Sequence, residues 1–190
     1  MKCYIIGTVM KFEITFKSQF RALEFSLFVL LSLAGCAFYF KRTDPTFPIE
    51  YFVWVFLIGF IPVLFLHAEY MLLNRTSSLT ITNDREFIYT DHLSNLRFYE
   101  EQIAGIFLFL PSSAYRGYIE RQMQLLPFEP YGYAIIYTKD GDKLIITSLM
   151  VINLLDEFSK LKNVTIEKKK RLIASPSIEK VIQWFNRDGL

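Results

Sequence analysis

ALEFSLFVLLSLAGCAFYFKRTDPTFPIEYFVWVFLIGFIPVLFLHAEYMLL, residues 22–73, decides the architecture of this chain. It contains two apolar runs around a short polar loop. Residues 25–40 carry no charge and are bracketed by Arg21 and Lys41; residues 51–66 carry none either and are followed by His67 and Glu69. A helix needs about 20 mostly apolar residues to cross a ~30 Å hydrocarbon core. Both runs reach that length when 22–24 and 67–73 are counted as interfacial ends. The stretch is expected to be a transmembrane helical hairpin, with residues 41–50 (KRTDPTFPIE) as its tight connection. Pro62 and Gly59 in the second run are tolerated in lipid.

Working outward, the 190 residues are 52% hydrophobic and 21% charged, against about 25% charged for an ordinary soluble domain. The apolar excess lies in 22–73, so the remainder suits one small domain. A net charge of +2 is too small to argue for a nucleic-acid partner. Cys3 and Cys36 both precede the part after the hairpin, which rules out a disulfide scaffold or a cysteine-rich zinc site there. His67 and His92 are not at ligand spacing. No metal and no cofactor are expected.

Residues 1–9 read as an extension, with Met10 an alternative start. Residues 11–17 then alternate: Phe12, Ile14 and Phe16 apolar, Lys11, Glu13, Thr15 and Lys17 polar. Period two is the mark of a half-buried strand. A lone strand is unstable, so it is expected to join the sheet beyond the hairpin; the competing reading is an interfacial arm. Leu33-Ala34-Gly35-Cys36 is similar to a lipobox, which would acylate Cys36. The apolar run continues through Phe40, however, and a small-residue helix face explains the four residues better. The N-terminal flank carries Lys2, Lys11, Lys17 and Arg21 and the loop only Lys41 and Arg42. By the positive-inside rule both termini are expected in the cytoplasm.

From Asn74 the pattern changes. Short strands are expected at 78–82 and 86–90, turning at Asn83-Asp84, then at 96–99 and 103–110. Residues 111–130 form a long connection whose middle, 115–126, has helical character. Strands 131–138 and 143–148 flank Asp140-Gly141, a pair suited to positive φ. Val151, Leu154, Leu155, Phe158 and Leu161 share one face of a helix over 150–162. Residues 163–167 read as one more strand, followed by Lys168, Lys169, Lys170 and Arg171. Ser175-Pro176 reads as a helix start, with Ile178, Val181, Ile182 and Phe185 on one face of an amphipathic terminal helix.

Three of these stretches, SLTITNDREFIYT, RFYEEQIAGIFLF and YGYAIIYTKDGDKLIITSLMVINLLDEFSKL, resemble the bacterial pleckstrin-homology-like domains of small membrane proteins, including the YcxB-like ones. A strand ahead of a two-helix hairpin is similar to the YcxB-like arrangement. The resemblance implies an α+β membrane protein: a transmembrane hairpin, then a small antiparallel β-barrel or sheet capped by a C-terminal helix. It divides the chain into an arm (1–21), the hairpin (22–73), a PH-like β domain (74–174) and a terminal helix (175–190). It brings no catalytic residues with it. It implies a multi-pass protein of the bacterial cytoplasmic membrane that serves as a non-enzymatic interaction or scaffolding adaptor.

The residues offer little for catalysis. Glu100-Glu101, and Asp156-Glu157 on the capping helix, are adjacent carboxylates; neighbours on a strand point to opposite faces, so Glu100 and Glu101 cannot both serve as acid and base, and both pairs are expected to be solvated surface. Glu69 is expected at the membrane interface. An integral-membrane enzyme would have its site at the His67/Glu69 end, but no converging polar set is visible there. The sharper candidate is the basic run Lys168, Lys169, Lys170 and Arg171. Beside a membrane anchor it suits anionic lipid, at ~1 kcal/mol per charge near the surface; the plainer reading is a strand edge guarded by lysines. The expected partners are membrane lipids and another protein or a second copy of the chain.

Overall fold

The computed structural model describes residues 9–92, 94–116, 128–178 and 180. Strand β1 (Met10–Glu13) leads into α1 (Phe16–Thr43), which turns back as α2 (Glu50–Asn74). The chain then forms β2 (Ser78–Ile81), β3 (Glu86–Thr90), β4 (Asn95–Tyr99), β5 (Ile103–Leu110), the single turn α3 (Ser112–Tyr115), β6 (Tyr133–Thr138), β7 (Lys143–Thr147), α4 (Leu154–Ser159) and β8 (Ile166–Lys170). The extension 1–8, most of the expected helix at 115–126 and all but the start of the terminal helix lie outside the described residues.

Two four-stranded sheets result, ordered β1-β2-β3-β4 and β7-β6-β5-β8. The N-terminal strand does pair across the hairpin: Met10 opposes Ile81 and Glu13 opposes Ser78. It is shorter than the expected 11–17. Thr15 stops it by capping α1, its Oγ1 accepting from Ser18 N–H at 3.1 Å while Ser18 Oγ accepts from Thr15 N–H at 3.0 Å. Two orphan donors at the helix start are satisfied reciprocally. Phe12 and Ile14 pack on the core as their alternation implies. Phe16 is instead 83% exposed in the first turn of α1.

The main core lies between the sheets. Leu79, Ile81, Phe87, Tyr89 and Phe98 from one face Ile106, Leu108, Ala134, Ile136, Leu144 and Ile146 from the other. Phe87 and Phe98 are register partners and stack at 5.4 Å. Leu154 and Phe158 of α4 close one end of it. That helix is a fragment of the expected 150–162, because Met150 and Val151 are held in a turn on Thr147 C=O.

A second core covers the outer face of the β5-β6-β7 sheet. Ala22, Val63, Leu66 and Tyr70 from the helices meet Phe109, Tyr131, Tyr133, Ile135 and Leu149. Sheet two is thus buried on both faces near the hairpin, which is why β6 reads YAIIYT rather than alternating. Asn74 fastens the junction: its Nδ2 donates to Ile145 C=O at 2.9 Å and its Oδ1 accepts from Thr147 N–H at 3.0 Å. A side-chain amide thereby pairs with the backbone of the edge strand β7. Gly132, where a Cβ would sit 3.2 Å from Phe109 C=O, lets β6 approach β5 closely at its start.

The turns differ in one respect from expectation. Gly141 takes φ +95°, as Asp140-Gly141 implies, but in the β2–β3 turn it is Arg85, at φ 58°, that is left-handed. Beyond the domain the helices stand free. The last buried residue of α1 is Ser26, and none of α2 before Val63 is buried.

Candidate functional site

The basic run is where the structure most revises the sequence reading. It does not follow a strand at 163–167; it is the strand, β8, which pairs parallel to β5 with Leu108 opposite Lys168 and Leu110 opposite Lys170. Parallel pairing needs a crossover, and α4 supplies it. The second sheet is therefore mixed rather than wholly antiparallel.

Alternation on β8 splits the four cations. Lys168 and Lys170 are exposed on one face. Lys169 and Arg171 lie on the other, beside the aromatic side chains of β5. Lys169 Nζ is 4.7 Å from the centre of the Phe107 ring and 5.8 Å from that of Phe109, and the Arg171 guanidinium is 5.5 Å from Phe109. Each such placement contributes about 0.5–1 kcal/mol at an exposed site. Lys169 also pairs with Glu167 at 3.5 Å.

Register fixes where this strand points. Phe109 opposes both Lys169 and Tyr133, so Arg171 lies level with Tyr131. Tyr131 in turn meets α2: its ring lies 5.5 Å from that of Tyr70, and its hydroxyl is 3.1 Å from His67 Nδ1. Asn74, further along α2, lies level with Tyr133 and Ile135 through their β7 partners. The run Lys168 to Arg171 therefore climbs toward the free end of the hairpin.

Beyond it the chain is tied to α2. Tyr70 donates its hydroxyl to Ala174 C=O. Glu69 is buried, at 8% exposure, and not at an open interface. Its Oε2 accepts from Ser175 Oγ and its Oε1 from Ser177 N–H, each at 2.7 Å. Ser175 Oγ also accepts from Ile178 N–H at 3.1 Å, which is the N-cap the Ser175-Pro176 pair implies. The His67/Glu69 end is thus a clip holding residues 174–178. Burial pushes the Tyr131 hydroxyl well above its ordinary pKa, so it remains protonated as a partner for His67.

A second clip sets the other end of β8. Glu100 is buried at 1% exposure, not solvated beside Glu101. Oε1 accepts from the backbone N–H groups of Lys162 at 2.8 Å and Asn163 at 2.9 Å, and Oε2 meets Arg85 Nη1 at 2.5 Å. Burial pushes its carboxyl upward, but the two backbone donors and the Arg85 guanidinium outweigh that and hold it below the usual carboxylate range. Arg85, the left-handed residue of the β2–β3 turn, supplies this guanidinium. Sequence reading missed Glu100 because its donors lie 62 and 63 residues away.

One further concavity lies on the other helix. A cleft of about 380 Å³ separates α1, from Ser18 to Phe28, from the corner at Pro111–Ala114 and the turn at Ile152–Leu155. Among the described residues no group of three or more His, Cys, Asp or Glu side chains is placed to hold a metal ion.

A family model described as a PH domain matches residues 8–156. No curated protein matches the chain, and no solved structure does.

Proposed function

The chain belongs to the PH-domain family, and on that premise we propose that it is a non-catalytic interaction module anchored in a membrane by α1 and α2, with a YcxB-like arrangement. The observation that carries the anchoring is exposed apolar surface. Leu31 is 70% exposed, Phe38 70%, Trp54 63% and Ile58 73%, on two helices long and apolar enough to cross a bilayer. A core helix of a soluble protein would bury such residues. Residues 27–43 and 50–62 project about 20–25 Å beyond the covered turns at 1.5 Å per residue. This falls short of a ~30 Å hydrocarbon core, so spanning draws the domain against the headgroups.

In this reading the domain is an adaptor that presents its sheets to a protein partner or a second copy at the cytoplasmic face of a bacterial inner membrane. A second reading, adhesion to anionic lipid, is favoured by the direction of β8. It carries Lys170 and Arg171 toward the level of His67 and Tyr70, where the uncharged part of α2 ends. Alkaline carbonate extraction of membranes expressing the full chain tests the anchor; release into the supernatant overturns it. Energy transfer from a fluorophore on the domain to labelled lipid, in vesicles holding the reconstituted full chain, separates the readings. Changing all four of Lys168, Lys169, Lys170 and Arg171 to Gln leaves the anchor intact, and closer apposition to phosphatidylglycerol vesicles at low salt is lost only if the run touches lipid.

A further inference from the structure

The two edges of the second sheet are finished differently. On β7 the Asn74 side chain takes up Ile145 C=O and Thr147 N–H. On β8 the outer side is open. Parallel pairing engages alternate residues of a strand. Ile106 N–H donates to Thr165 C=O at 3.0 Å and Arg171 N–H to Leu110 C=O at 2.9 Å, so 165, 167, 169 and 171 turn their backbone groups toward β5. Ile166, Lys168 and Lys170 turn theirs away. Among the described residues no strand lies beyond β8, and one bond reaches these outward groups, from Arg171 Nη1 to Lys170 C=O at 3.2 Å. Side chains divide in the same way. Lys168 and Lys170 are exposed on the face of Ile166, which packs on the main core. Lys169 stands on the other face, with Phe107 and Glu167. The edge thus carries cations on both faces, with backbone donors and acceptors between them.

On the adaptor reading above, on which this inference rests, we infer that the protein partner docks as an extended acidic peptide, added as a further strand beside β8. Its backbone pairs with Ile166, Lys168 and Lys170. Carboxylates at two alternate positions oppose Lys168 and Lys170, and an apolar residue at the next alternate position covers Ile166. The residues between them face Glu167 and Lys169, whose charges already meet at 3.5 Å, and are best uncharged. Lysines along an edge repel a second β8, so a copy of this chain does not pair here, whereas opposite charge across the strands is favourable. A bilayer fits the edge less well. The strand runs along the hairpin, so a flat surface meets its Lys170 end and not its length. Phosphate oxygens would accept from the N–H groups and leave the C=O groups of Ile166 and Lys168 unmatched; a peptide strand answers both.

Fluorescence anisotropy of the full chain in uncharged detergent tests the inference, with two labelled synthetic peptides. Both carry threonine at every second position; between the threonines one has isoleucine, glutamate, glutamate and the other the reverse order, to suit either strand direction. The expected result is saturable binding of one of them. Lys168→Gln with Lys170→Gln should weaken it about tenfold, since two opposite-charge pairs are lost. Methylating the peptide's β8-facing amide nitrogens should abolish it, a change that asks nothing of the protein's folding. Amide exchange followed by NMR should slow at least tenfold at 166, 168 and 170 on binding and change little at 167 and 169, which β5 already holds. Failure of both peptides overturns the inference. So does equal binding of the methylated peptide, which would mean attraction of charge alone, and so does slow exchange at 166, 168 and 170 before any peptide is added. Protection of those three amides by phosphatidylglycerol vesicles alone would assign the edge to lipid and overturn it too. A chain that resists carbonate extraction yet binds neither peptide rejects the edge and keeps the anchor. A chain released by carbonate that still binds a peptide upholds the edge and rejects the anchor.

Discussion

Glu100 is the residue whose removal should most clearly separate a structural carboxylate from a solvated one. One oxygen serves two backbone donors and the other a guanidinium, with the side chain 1% exposed. Glu100→Ala orphans the N–H groups of Lys162 and Asn163. These are only part-buried, so each costs about 1 kcal/mol, the low end of the usual 1–3. Loss of the Arg85 pair adds about 1 kcal/mol, because the arginine is 41% exposed and solvent screens it. The total is about 3 kcal/mol, or roughly 6–12 °C in melting temperature for a domain of this size. Glu100→Gln keeps one acceptor for both N–H groups but turns an amide toward the guanidinium; about 1 kcal/mol is expected from the lost pair with the 41% exposed Arg85. The carboxyl is held below its ordinary pKa of 4.5. Its stabilisation is therefore fully present above about pH 4.5 and lost as pH falls through the folded value. Thermal melts of the full chain in detergent from pH 7 to pH 3 should show the unaltered protein losing this increment in acid. Glu100→Gln should start lower and lack it. Hydrogen exchange should quicken at residues 162–163 in both variants. A Glu100→Gln protein with an unchanged melting temperature at pH 7 and the same acid limb would refute the reasoning.

Asn74→Ala should cost about 2–4 kcal/mol, since two backbone groups of β7 lose a partner at a fully buried site; Asn74→Asp should recover only the Thr147 bond, and exchange at Thr147 reads the difference. Phe12→Ala should weaken β1 by about 3 kcal/mol or less for a half-buried ring, seen as faster exchange at residues 10–13 while β5 and β6 stay protected. Lys169→Ala should cost about 0.5–1 kcal/mol through its loss from the Phe107 ring, and Lys168→Ala close to nothing, by the same melts.

The legible parts of this fold were those written locally. The apolar runs, the alternation of β1, the Asp140-Gly141 turn and the Ser175 cap each declare themselves within a few residues. Strand ends were less legible: Phe16 continues the period of β1 but falls after the Thr15 cap, which ends the strand regardless. The sequence reading places the basic strand three residues early, at 163–167, with a lysine-guarded strand edge as the plainer reading of the run. β8 is an edge strand, and its bounds were misplaced because four cations carry no apolar period. Lys168, Lys169 and Lys170 are strand residues only since β5 offers an open edge, a fact of tertiary structure. Its position after residue 156 also places it beyond the PH-domain match. Glu69 and Glu100 escaped for a related reason, as a carboxylate is read as solvated until its distant donors are known.

Pairing of β1 with β2 constrains topology more firmly than any count of lysines. β1 precedes the hairpin and β2 follows it, yet Lys11 opposes Thr80 and Phe12 opposes Leu79. Both ends of the hairpin must then lie on one side of whatever the helices enter. A bilayer crossed by α1 is crossed back by α2, and a single-span arrangement would tear β1 from the sheet. In the proposed spanning arrangement, four flanking cations against two set only the expected side; the sheet pairing requires that the side be shared. Cysteines introduced at Glu13, Asp84 and Thr46 of a chain with Cys3 and Cys36 replaced by Ser should therefore label in two classes. Glu13→Cys and Asp84→Cys should react with an impermeant maleimide from the same face, and Thr46→Cys from the opposite one. Agreement of the first two with Thr46 also on their side would mean that the hairpin lies along the surface without crossing. Disagreement between Glu13 and Asp84 would mean that β1 is not in the sheet, and with it would go the closed frame that holds α1 and α2 against Tyr131 and Tyr133.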